Sequence, residues 1–411
     1  MQKFFYLLVL MVAGLVNNTI AQDLPIVLGI NLCGGELNEQ QMPGTYNEHY
    51  AYPTKEEVDY FAKKGFKTVT IPFRWERIQK NIGGDLDYQE VGEIKKVVGW
   101  CADKGMQVIL SMHNLGRYKK NGIEYIVGSL AVSRNDFAEV WSRIVSSFAG
   151  YSNIYGYELM ADPHEMQGFD WFTTAQQATN AIREADKKTF IIITGDNYGA
   201  PESWVQYSDN LKNIKDPADK ILYNAHCYFD IDFTGKYLYG YEQNQVDENA
   251  GVKRVMPFVK WLQDNGKKGM IGQFGIPDTD PRWLKLTEVF LKYLADNKIN
   301  ANYWASGKRW NGNPLSLYPL SQTDRPQMSA LQAYLKPEPV VETKTAAAEG
   351  NVQPEETVAP AQPQTPPESF LFLPGTILLP QPNGGLYKPT PSKTDSTTTT
   401  TNIIRVAKYR S

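Results

Sequence analysis

The feature that most limits what this chain can become is a rhythm. Between residues 27 and 305, short apolar runs of four to seven residues alternate with longer stretches of helical periodicity, and the runs number eight. They fall at 27–31, 68–71, 108–111, 154–159, 191–194, 221–226, 270–274 and 299–305. Apolar runs this short suit strands buried on both faces. A strand needs a crossover helix to reach a parallel neighbour, so the alternation predicts a parallel sheet. Eight such units close into a (β/α)8 barrel, the TIM barrel, more readily than they form an open sheet.

The intervening segments carry helix punctuation. The stretch 54–64 opens on Thr54 with Glu57 three residues later and closes on lysines before Gly65, a capping box followed by a glycine stop. Comparable helices are expected at 88–104, 134–148, 171–186, 252–265 and 283–296. In such a barrel the ligand site forms where the strands end, so the residues closing each strand are the ones to inspect.

Composition narrows the rest. A net charge of -3 on 411 residues is too balanced to point to nucleic acid as the partner. The opening MQKFFYLLVLMVAGLVNNTIAQ pairs Lys3 with an apolar run and a small-residue site near Ala21, the pattern of a secretory signal over 1–21, so a secreted or cell-surface protein is expected. Cys33, Cys101 and Cys227 are too few and too widely spaced for a disulfide scaffold, and one bridge or three thiols both fit. Four histidines without HExxH spacing give no transition-metal site. The barrel is expected over 22–335. From 336 to 411 the chain is a Pro- and Thr-rich linker or tail, with an apolar island at 370–379 that is a candidate contact for a protein partner.

The strand ends carry a resemblance. GINLCGGE (29–36), GFKTVTIPFRWERIQ (65–79), LSMHNLGRY (110–118), YELMADPH (157–164), AHCYFDIDFTG (225–235), IGQFGIP (271–277) and YWASGKRW (303–310) follow one another as in glycoside hydrolase family 5, the endoglucanase-like group. The chain is similar to that family over 28–335. The resemblance implies a cleft for β-1,4-linked glucan or a related polysaccharide and no cofactor. It also implies a retaining mechanism with one glutamate after the fourth strand as acid/base and another ending the seventh as nucleophile.

At those two positions this sequence has Asp162 and Gln273. A retaining reaction uses two carboxyl groups about 5 to 5.5 Å apart, one donating a proton and one attacking the anomeric carbon. A neutral amide is a poor nucleophile. An aspartate is one methylene shorter than glutamate, and a misplacement of about 1 Å can cost on the order of a hundredfold in rate. Thr70 and Ala161 stand where the family has arginine and asparagine. Loss of that arginine together with its carboxylate is self-consistent, because an unpartnered buried charge is costly. The expectation is a catalytically disabled, cellulase-like pseudoenzyme that binds carbohydrate. An atypical endo-β-1,4-glucanase using Asp162 as acid and a structural or adhesion component are the alternatives.

By the same resemblance His113, His226, Tyr228 and Trp304 are expected sugar contacts, with Trp304 as the platform for a pyranose face, while Glu36 at the first strand end and Asn114 at the third are further candidate contacts. Trp75, Tyr118, Trp204 and Trp310 are candidates to extend the cleft. Glu158, Glu165, Asp196, Asp230 and Asp232 lie near strand ends as possible relocated carboxylates, Glu158 reading best as a satisfied interior group. An inverting pair, about 6.5 to 9.5 Å apart, is the chemistry such relocation would serve.

Overall fold

In the computed structural model, residues 27–166, 168–310, 312–319 and 321–335 are described. The expected export signal and the tail with its apolar island lie outside them. Eight strands form a closed parallel barrel: β1 (Leu28–Leu32), β2 (Thr68–Phe73), β3 (Gln107–Met112), then, after a two-stranded hairpin of β4 (Arg117–Lys120) and β5 (Ile123–Ile126), β6 (Ile154–Glu158), β7 (Phe190–Thr194), β8 (Ile221–His226), β9 (Gly269–Phe274) and β10 (Asn300–Ser306). Around the barrel the order is β1, β10, β9, β8, β7, β6, β3, β2, so every barrel strand has two neighbours and no edge is left open. All eight runs expected from sequence are strands, with ends shifted by one or two residues.

Five long helices, α3 (Tyr88–Asp103), α4 (Arg134–Phe148), α5 (Trp171–Ala185), α7 (Ala250–Asp264) and α8 (Arg282–Asp296), and the shorter α1 (Lys55–Lys64) match the expected positions. Three one-turn helices, α2 (Trp75–Ile78), α6 (Trp204–Ser208) and α9 (Met328–Leu331), were not anticipated, nor was the β4–β5 hairpin. The helix starts are fixed locally. Thr54 caps α1 and Glu57 reaches back to the Thr54 N–H at 2.7 Å, while Ser133 and Asp136 repeat the device on α4. Gly65, at φ 96°, ends α1 in the left-handed conformation that only glycine adopts without strain.

Packing follows the apolar stripes. On α8 the side chains of Trp283, Leu286, Phe290, Leu291 and Leu294 are buried, the three-and-four spacing of one helix face. Each such side chain removed from water contributes roughly 1.5–3 kcal/mol. The barrel interior near the strand ends is polar, and glycine makes room for it. A Cβ on Gly29 would stand 2.3 Å from Asn302 Oδ1, and one on Gly272 would stand 2.4 Å from Asn224 Oδ1. Cys33, Cys101 and Cys227 are buried and none is joined to another in a disulfide, which settles the pairing the sequence left open.

Candidate functional site

Beneath the strand ends lies a buried polar layer. Glu158, closing β6, accepts from Ser111 Oγ at 2.6 Å, Thr194 Oγ1 at 2.7 Å and Asn224 Nδ2 at 2.8 Å. Asn31 donates to the carbonyls of Gly272 and Tyr303, and Asn302 Nδ2 donates to Thr70 Oγ1 at 2.8 Å. Thr70 thus occupies the floor as half of a neutral pair, with no cation to compensate. Ala161, which precedes Asp162 in the chain, is fully buried and offers no side-chain polar group.

Above this floor opens a cavity of about 340 Å³ whose lining includes Glu36, His113, Asp162, Tyr228, Gln273 and Trp304. These come from the ends of β1, β3, β6, β8, β9 and β10, six strands distant in sequence. Gln273 is 3 % exposed, and its Oε1 accepts from the Tyr228 hydroxyl at 2.8 Å. That bond turns the amide oxygen toward Tyr228 and leaves the amide nitrogen to donate. Gly235 permits this arrangement, because a Cβ there would stand 2.6 Å from the Tyr228 ring.

Asp162 has φ 49°, a left-handed backbone that aspartate tolerates better than most residues and that clusters at functional sites. Its Oδ1 meets His226 Nδ1 at 2.8 Å, while His226 Nε2 lies 3.6 Å from Glu158 Oε1. Burial opposes a charge on His226, but the two flanking carboxylates prevail and raise its pKa to about 9. The Glu158 carboxyl, which burial alone would push up, is held below its usual range by His226, His113 and Ser111. Charge on this imidazole is thus favoured by a carboxylate group on either side.

His113 behaves oppositely. Burial lowers its pKa to about 4, so it is neutral at ordinary pH. Its ring stacks on Trp304, with centroids 5.3 Å apart and planes 10° apart, and its Nε2 is buried with no hydrogen-bond partner. Glu36 shares that condition. Its Oε2 accepts from the Gly34 N–H at 2.8 Å, its Oε1 is buried without a partner, and burial raises its pKa. Two buried polar atoms left unmatched at one cleft are what a ligand with hydroxyl groups would satisfy. Trp310 stands edge-on to Trp304, with centroids 5.9 Å apart, and also lines the cavity.

Several expected contacts lie elsewhere. Asn114 is 2 % exposed and fully engaged, accepting from the Trp75 N–H at 2.8 Å and donating to Glu76 Oε2 at 2.7 Å, so it braces the wall behind the cleft. His226 sits behind Asp162, outside the lining. Trp75 packs against Tyr118 and Phe137, and Trp204 against Phe258 and Trp261; all three candidate extensions, Trp75, Tyr118 and Trp204, are core. Of the relocated-carboxylate candidates, Glu158 belongs to the floor. Glu165 pairs with Arg117 at 3.1 Å, and Asp230 holds its own loop by accepting from Thr234, Gly235 and Tyr237. None of the five lines the cavity. Its carboxylates are Asp162, Glu36 and one that sequence reasoning missed, Glu39, which pairs with Arg74 at 2.7 Å. Arg74 was also missed, although its place immediately after β2 is the strand-end signal that located the others.

A (β/α)8 barrel with a cleft at its strand ends that is polar in its floor and aromatic in its wall is the architecture of a glycoside-hydrolase-like protein. The sequence profile described as Cellulase (glycosyl hydrolase family 5) matches residues 30–309, and the chain belongs to that family. Among its relatives, endo-beta-1,4-glucanase B of Emericella nidulans is 30% identical over 311 residues, covering 75% of this chain and 90% of the relative. The crystal structure of Pseudomonas stutzeri endoglucanase Cel5A in complex with cellobiose aligns with TM-score 0.72 and 37% identity over 76% of this chain and 93% of that one. XacCel5A in complex with cellopentaose aligns with TM-score 0.69 and 30% identity over 75% and 99%.

Proposed function

We propose that this chain is an exported protein that binds β-1,4-glucan or a related β-linked polysaccharide in the cleft and does not cleave it by the two-carboxylate route. The observation that carries this reading is the amide of Gln273 at the end of β9, bonded to Tyr228, where the attacking oxygen of a retaining glycosidase would have to be ionised. Asp162 supports it from the other side. Its side chain is one methylene shorter than glutamate and its Oδ1 is engaged with His226 Nδ1 at 2.8 Å, so it is less well placed to reach a leaving oxygen. His113, Glu36 and Trp304 meanwhile keep the hydrogen-bonding atoms and ring face that hold a sugar.

The names of the relatives favour a second reading, an atypical or weak endo-β-1,4-glucanase with Asp162 as the acid. The two part on one experiment. The purified chain is incubated for days with cellohexaose and mannohexaose, products are read by mass spectrometry, and binding is read by calorimetry. Binding without shortened products is the expected outcome. Products whose formation stops in Asp162→Asn would establish the enzyme and overturn the binding-only reading.

A further inference from the structure

The loop between β8 and α7 presents apolar side chains that its own structure does not use. Ile231, Leu238 and Tyr239 are 40%, 70% and 55% exposed, and they make up three of the nine large apolar side chains exposed among the described residues. Single exposed apolar residues need no explanation, but three within nine positions beside a cleft do.

The loop is not loose. Buried Asp230 accepts from the backbone N–H groups of Gly235 and Tyr237 at 3.0 and 3.2 Å. Buried Asn244 donates to the carbonyls of Tyr239 and Gly240 at 2.8 and 2.9 Å and accepts from the Ile231 N–H at 2.8 Å. Tyr237 stacks edge-on against Trp283 and donates to the Gly275 carbonyl at 2.5 Å. The backbone on both sides of Leu238 and Tyr239 is thus fastened while these two side chains stay in water. Leu238 lines the same cavity as Asp162, Gln273 and Trp304, and exposed Tyr239 is the next residue along the fastened loop.

We propose that Leu238 and Tyr239 form an outer subsite that takes a further pyranose unit of a β-1,4-linked glucan chain leaving the cleft. The carbon–hydrogen faces of that sugar are apolar, and a ring and a branched aliphatic side chain held in place cover them with little ordering cost. This inference rests on the reading of the cleft as a β-glucan site. It adds that affinity grows with chain length through this loop.

The test is calorimetry on the full chain with cellobiose and with cellohexaose, in the unmodified protein, in the pair Leu238→Ala with Tyr239→Ala, and in Tyr239→Trp. Both side chains are exposed, so the thermal midpoint should stay unchanged and folding is checked by it. The double variant should bind cellobiose as before and cellohexaose about tenfold more weakly, while Tyr239→Trp retains the longer ligand. If the chain turns cellohexaose over, its KM replaces the affinity with the same expectation. Equal cellohexaose affinity in the double variant, or an equal loss for both sugars, overturns the outer subsite while leaving the central cleft standing. Loss of self-association in sedimentation with unchanged sugar affinity would assign the patch to a second copy and also overturn it. Failure of the unmodified chain to bind either sugar would overturn the β-glucan reading, and this inference with it.

Discussion

The floor of the cleft and its wall are built from the same residue types and treat them in opposite ways. In the floor the Glu158 carboxylate has three donors and the His226 imidazole nearby, and Thr70, Asn302 and Asn31 are paired among themselves or with backbone, with Asn224 Oδ1 as the exception. In the wall Glu36 and His113, equally buried, each keep one polar atom without a partner. A buried polar group without a bond costs about 1–3 kcal/mol. A folded chain that carries two of them at one cavity holds that deficit in the wall for a ligand to relieve. The floor is a device for folding, and the wall is a device for binding.

The contrast breaks most visibly at Glu158. Glu158→Ala leaves His226, Ser111, Thr194 and Asn224 facing an empty space, and removing one partner of a buried ion pair costs on the order of 3–5 kcal/mol. A drop of that size in unfolding free energy by denaturant titration is expected. A loss below about 1 kcal/mol would mean that the floor does not carry the barrel's stability.

The pH dependence sharpens the same point. The pKa of His226 is raised to about 9 in the fold, against about 6.5 for a free imidazole, so its pairing contributes fully below about pH 6.5 and is lost as pH rises through about 9. The gap in stability between the unmodified chain and His226→Gln should therefore shrink across that window by up to roughly 3 kcal/mol. His113 acts at the other end. Its pKa is lowered to about 4, so the stability linked to it is present above about pH 6.5 and is lost as pH falls toward 4. A gap that stays flat from pH 6 to 10 would show that His226 is not charged.

The fold was legible because strand-helix alternation is a local signal, and the order of strand ends then fixed which residues meet. The positions of Asp162, Gln273, Glu36, His113, Tyr228 and Trp304 along the rim came from the family resemblance laid onto that order. What stayed hidden was which way a strand-end side chain faces. Asn114 follows His113 directly, yet His113 lines the cavity while Asn114 is consumed by the Trp75 N–H and Glu76, partners contributed by α2. Trp75, Trp204 and Trp304 look alike in sequence, and only neighbours distant along the chain decide that the first two are core. The loop carrying Leu238 gave no periodic signal.

On the wall, stability and binding should separate. Trp304→Ala removes the ring that stacks on His113 and should weaken cellohexaose binding by about 2 kcal/mol, the scale of a buried aromatic anchor. Unchanged calorimetric affinity in a variant that still folds would deny the platform role.

The smallest expected effect is the one that isolates the unpaired atom. In Glu36→Gln the side-chain oxygen can still accept from the Gly34 N–H, so the local fold is kept, while the second position changes from an acceptor to a donor. Burial raises the Glu36 pKa, so the charged form is the disfavoured one, and the neutral amide should leave the melting temperature unchanged or slightly higher. A sugar hydroxyl that donated to Oε1 would lose its acceptor, at a cost of about 1 kcal/mol, or roughly fivefold in affinity. The pattern to look for is weaker cellohexaose binding in calorimetry together with equal or greater thermal stability. A variant that loses stability and keeps its affinity would place Glu36 with the floor, and the division between a largely satisfied floor and an unsatisfied wall would fail at the residue that defines it best.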